Sequence, residues 1–169
     1  MNKPHEPEVW LRGPLNDIPA LLQPVAHALL QARNEVNHIM QGFPEDALWD
    51  KLPGLASVGF HLQHLTGVLN RLFTYAQGSA LNQEQLQYLG MEGENTGIKI
   101  PLLLEAFNKQ IDNCITQLKL TPDSILTEYQ AVGRAQLPST VIGLLGHAAE
   151  HTMRHTGQLL VTVRVLHPS

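Results

Sequence analysis

His147, His151 and His155 recur every four residues within the run Gly146–Gln158, and a further pair, His61 and His64, sits on an earlier stretch. Residues four apart on a helix share a face, about 5–6 Å apart, so two imidazoles there can grip one metal ion. A third imidazole from a neighbouring helix completes three protein ligands and leaves a coordination position open, the arrangement a catalytic metal needs. The spacing therefore proposes a metal site on a helical scaffold.

Helix geometry separates the candidates. At about 100° per residue, His155 lies about 20° from the centre of the last helix's apolar stripe, His151 about 60° and His147 about 100°. His147 and His155 are about 12 Å apart along the axis, too far for one ion. The pair is either His147 with His151 or His151 with His155, and the stripe favours the latter. A single core histidine is usually a satisfied structural residue; two at this spacing, with a third supplied nearby, favour a metal. On the second helix His61 sits closer to the main stripe than His64, which groups with Phe60, Val68 and Tyr75, and periodicity does not choose between them. His5, His27, His38 and His167 lack partners at ligand spacing and read as solvated.

Four amphipathic segments must position these residues. The first carries Ile18, Leu22, Val25, Leu29, Ala32, Val36 and Ile39, with Asp17 as N-cap and Pro19 in the first turn, and ends at Gly42-Phe43-Pro44. The second carries Val58, Leu62, Leu65, Leu69, Leu72 and Ala76, with Ser57 as cap. A long connection follows, in which Asn82 to Leu89 forms at most a short helix. The third stripe, Leu104, Phe107, Ile111, Cys114 and Leu118, starts after Pro101 and stops at Thr121-Pro122. Thr127 to Leu137 reads as an extended or irregular crossover with room for a short strand-like piece. Pro138 and Ser139 then launch a final helix with the stripe Val141, Leu145, Ala148, His155, Leu159, Thr162 and Leu166. The expectation is an all-α four-helix bundle, a single domain over 1–169 with an extended N-terminal tail over 1–16.

Composition narrows the function. Eleven Lys plus Arg against fifteen Asp plus Glu give a net charge of −4, and no basic cluster offers a nucleic-acid footprint. No apolar run approaches a membrane span and the N-terminus has no signal-peptide core, so a cytoplasmic location is expected. Cys114 is the sole cysteine, which excludes an intrachain disulfide and a thiolate metal cluster. It lies on an apolar stripe and reads as a buried structural thiol. No phosphate loop, nucleophile elbow or HExxH motif is present.

Two segments, Ser57-Val58-Gly59-Phe60-His61-Leu62-Gln63-His64-Leu65 and Ala149-Glu150-His151-Thr152-Met153-Arg154-His155-Thr156-Gly157-Gln158, resemble the DinB/YfiT superfamily. The resemblance spans nearly the whole chain. It implies a four-helix bundle with a long connection between helices 2 and 3 and a divalent metal on three histidines. One ligand comes from the second helix, seven residues after a Ser or Thr, which gives His64; the other two come from a last-helix pair, often followed by Gly-Gln, which gives His151 and His155. One departure is Ala56, where an aromatic residue often precedes that Ser or Thr, a change bearing on packing more than on ligation.

Three neutral imidazoles leave the ion its double charge, able to acidify a water or a thiol or to polarise a carbonyl. Zinc or nickel is expected first, with iron, cobalt and manganese as alternatives. Glu150 and Gln158 are candidates for hydrogen-bonding support around the ligands, although Glu150 points about 100° away from His151. No protein-borne general base stands out, so the metal itself would activate the nucleophile. Relatives that transfer low-molecular-weight thiols imply a thiol S-transferase or a hydrolase, acting on a small electrophile and paired as a homodimer. The competing expectation is a non-catalytic, stress-associated protein in which the metal staples helices.

Overall fold

A computed structural model describes residues 6–167. The chain is mostly helical: α1 (Gln23–Ile39), α2 (Val58–Ala76), α3 (Gln83–Met91), α4 (Ile100–Leu120) and α5 (Val141–Leu166). One small sheet accompanies them, β1 (Tyr129–Val132) and β2 (Leu137–Thr140), antiparallel with Tyr129 opposite Thr140 and Val132 opposite Leu137. That sheet corrects the all-α expectation. Gly133 and Gln136 adopt positive φ (67° and 50°), which closes the turn and lets both arms of the crossover pair.

The helix boundaries follow local chemistry. Ser57 caps α2, its Oγ accepting from the Phe60 N–H at 3.1 Å. Asn82 and Gln85 form a reciprocal capping box that starts α3, each side chain accepting from the other's backbone at 2.9 Å. Proline near the first turn fits the unbonded N-terminal positions of α1 and α4. Two boundaries differ from the sequence reading. Asp17 has φ 63° and caps nothing; Ala20–Leu22 form a 3-10 turn that leads into α1. Pro138 and Ser139 belong to β2, and Thr140 caps α5 by accepting from Gly143 N–H at 3.1 Å. Within the stretch read as a tail, Val9–Arg12 make another 3-10 turn, and the Val9 N–H donates to Gln31 Oε1 at 3.0 Å.

Helix α5 packs along both α1 and α2, and α4 packs against the same two helices. Leu22, Leu29, Leu62, Leu65, Leu69, Phe107, Ile111, Leu118, Leu145 and Leu159 are fully buried at their junction, each worth about 1.5–3 kcal/mol of transfer free energy. Two buried threonines of α5 satisfy their hydroxyls within the helix: Thr152 donates to Ala148 O at 2.7 Å and Thr156 to Thr152 O at 2.9 Å. They therefore face the core as apolar residues would, and the buried face of α5 turns toward them. His151 and His155 end at the edge of that face, half-buried. Among the described residues no helix is long and apolar enough to cross a membrane.

Candidate metal centre

Helix α2 presents His61 and His64, and α5 presents His151 and His155, where these two helices pack side by side. His64, His151 and His155 each bring a ring nitrogen to within 4.8 Å of the others. The Nε2 atoms of His64 and His151 face each other at 2.9 Å. The ring of His155 lies 4.5 Å from that of His64 and 4.6 Å from that of His151, centroid to centroid. On a tetrahedral ion with bonds of about 2.0 Å, ligand nitrogens sit about 3.3 Å apart, so small side-chain rotations suffice to enclose one.

The donors are electronically suited to that task. Burial, helped by the neighbouring His64, pushes His155 down to about 4 and lowers His151 below the usual histidine range. Burial thus favours the uncharged form of both rings, the form that ligates a metal. His151 Nδ1 is buried without a hydrogen-bond partner, so no protein network fixes that ring through it. Three converging imidazoles, one of them with a buried Nδ1 that has no partner, form a donor set that fits a divalent ion.

His61, which periodicity could not separate from His64, has a different place. It is buried, its Nδ1 lies 3.2 Å from His155 Nδ1, and burial with the nearby His64 pushes it down to about 4. It lies beside His155 and outside the converging trio. Phe60 stacks flat on His64, centroids 5.2 Å apart and planes within 10°.

The alternative pairing also has a counterpart. His147, Glu150 and His151 bring ligand atoms within 4.8 Å, but His147 and Glu150 are exposed. Glu150 is bound by Arg154, whose guanidinium holds its carboxyl below the usual range. Burial thus favours the His64 set. Gln158 lines a cavity beside His61 and His155. His38 and His167 are exposed, His27 Nε2 lies 3.1 Å from Gly13 O, and His5 lies outside the described residues. Cys114 is buried in the core, as its stripe position implied.

Two residues of the site were missed from sequence. Glu92 Oε2 lies 2.7 Å from His64 Nδ1, and Arg71 binds the same carboxylate through Oε1. Glu92 follows α3 in a glycine-rich stretch without periodicity, and nothing there marks it. Arg71 did leave a signal: it is the only Lys, Arg, Asp or Glu in α2. A lone cation on so apolar a helix requires a buried anion from elsewhere.

The family model of the DinB superfamily matches residues 28–159. A crystal structure of a Streptococcus pneumoniae protein, solved in a structural genomics programme, aligns with a TM-score of 0.61 at 11% identity. The alignment covers 83% of this chain and 87% of that one, a likeness of fold. No curated protein matches the chain. Because the matched span runs from within α1 to within α5 and includes all three converging histidines, the chain belongs to the DinB superfamily.

Proposed function

We propose that this protein is a metal-dependent enzyme in which His64, His151 and His155 hold one divalent ion, zinc or nickel, for thiol transfer or hydrolysis. The four long helices serve as a four-helix bundle that brings the ligands together. The observation that carries this reading is the convergence of three half-buried imidazoles, one of which, His155, lines a cavity of about 520 Å³. A staple that only tied α2 to α5 would need no such space next to a ligand.

When bound, the ion would supply a Lewis acid that acidifies a thiol or a water. The chain's own residues shape what meets it. Leu55, Phe60 and Val161 give the cavity an apolar wall suited to a small electrophile. Arg154 and Gln158 line the same space and offer N–H donors to a polar group on that substrate. Burial of His151 and His155 favours the uncharged rings that a metal takes as ligands.

The test is elemental analysis of protein purified without a metal-affinity tag, comparing wild type with His64→Ala, His151→Ala, His155→Ala and the control His147→Ala. About one divalent ion per chain, lost in the first three and kept in the control, is expected. The loaded protein is then assayed for conjugation of small thiols to 1-chloro-2,4-dinitrobenzene and for ester and amide hydrolysis. Absence of stoichiometric metal after reloading overturns the site; metal without turnover leaves the structural staple as the better account.

A further inference from the structure

Resting on the three-histidine reading, we propose that Glu92 is a positioning residue for this centre. It fixes His64 in the tautomer whose Nε2 lone pair faces His151, and Gly67 exists to make room for it.

The Glu92 side chain is 5% exposed, and a buried carboxylate requires donors on its oxygens. Arg71 donates to Oε1, with its second Nη 3.4 Å from Oε2, and His64 Nδ1 stands 2.7 Å from Oε2. An ionised carboxylate only accepts hydrogen bonds, so Nδ1 of His64 carries the proton. With Nδ1 held as the donor, the nitrogen left for a metal ion is Nε2, the atom 2.9 Å from His151 Nε2. Neither partner ligand is held this way: His151 Nδ1 has no partner and His155 Nδ1 faces His61. His64 is thus the preorganised ligand, to which the other two adapt.

The fold builds this contact deliberately. A Cβ on Gly67 would lie 2.2 Å from Glu92 Oε1, 2.7 Å from Arg71 Nη1 and 2.8 Å from Tyr88 Cε1. The ion pair therefore occupies the space that any other residue of α2 would fill. The segment carrying Glu92 is clamped to α2 from both sides. Tyr88 Oη donates to Gln63 O at 3.1 Å, and Gln63 Oε1 accepts from Gly93 N–H at 2.7 Å. Gln63 Nε2 also donates to Glu94 O at 3.3 Å.

Glu92→Gln tests this with little change in shape. Its amide oxygen is claimed by Arg71, so its NH2 is turned toward His64 Nδ1 and demands a lone pair there. The ring proton then moves to Nε2, where it blocks the ligand atom. The readout is the imidazole ¹⁵N pattern of His64 in chelator-treated protein at pH 7.5, with zinc affinity measured on the same samples. The wild type is expected to show the Nδ1–H tautomer. The variant is expected to show the Nε2–H tautomer and to bind zinc 10–100-fold more weakly. A wild type with the Nε2–H tautomer, or a variant with unchanged tautomer and affinity, overturns the proposal. If the variant does not fold, the wild-type tautomer decides alone. Normal tautomers in a protein that binds no zinc count against the metal reading, not against the hold of Glu92 on His64.

Discussion

His64 on α2 and His151 on α5 are 87 residues apart in the chain, yet their Nε2 atoms lie 2.9 Å from each other across the helix interface. The packing of α2 along α5 brings the two residues together, so any ligand that both rings share also ties those two helices.

That tie should be measurable as stability. A ligand that binds only the folded state adds about 2.7 kcal/mol when present at 100 times its Kd. Zinc at that excess is expected to raise the melting temperature of the wild type and of His147→Ala. It should leave His64→Ala and His151→Ala unmoved in the same differential scanning calorimetry series.

Acid should loosen the metal-free protein in a defined window. His61 and His155 are pushed down to about 4 in the folded chain, whereas the unfolded chain titrates near about 6.5. Between those values the unfolded state binds more protons, so stability rises with pH. The contribution is fully present above about 6.5 and is lost as pH falls toward about 4. Urea midpoints in the presence of chelator should fall over this range, and His61→Leu should flatten the fall. A midpoint independent of pH across the window would contradict the burial of these rings as neutral species.

Gly59 leaves space for Trp49. A Cβ there would meet the indole at 2.5 Å, and the Gly59 N–H already donates to Leu48 O at 2.8 Å. Gly59→Ala is expected to cost about 1–3 kcal/mol in urea unfolding, with metal stoichiometry retained, since the clash is between the first turn of α2 and Trp49 of the preceding loop.

Ser57 should contribute through its cap alone. It is fully buried and accepts from Phe60 N–H. Ser57→Ala is expected to lower stability by about 1 kcal/mol. Ser57→Asp should keep the hydrogen bond but bury a charge, and thus fare no better than alanine.

Cys114 should take no part in thiol chemistry. It is 1% exposed, and burial pushes its thiol up to about 12 despite a hydrogen bond from Gln110. Ellman's reagent should react with one thiol per chain in denaturant and only slowly in the native protein, and Cys114→Ala should retain metal. Rapid native labelling would show that the thiol is accessible.

The helical fold was legible because burial patterns are local. The 3.6-residue stripes of α1, α2, α4 and α5 are set by residues a few positions apart, and the Ser57 cap and the Asn82 helix start lie within one turn of their partners. The His151–His155 pair was legible for the same reason. The β1–β2 pairing was visible only as an extended crossover, since its register depends on the turn at Gly133 and Gln136. The stripe also set His155 nearer the core than it lies, because the internally bonded Thr152 and Thr156 take the core-facing positions. On α2, periodicity could not separate His61 from His64, because a pattern reports burial and not which ring meets α5. The sequence by itself determined the helices and the residue types able to bind a metal. Only the tertiary structure decided that His64 faces His151 and that Glu92 reaches across from the end of α3, because partners 28 and 87 residues away leave no periodic trace along the chain.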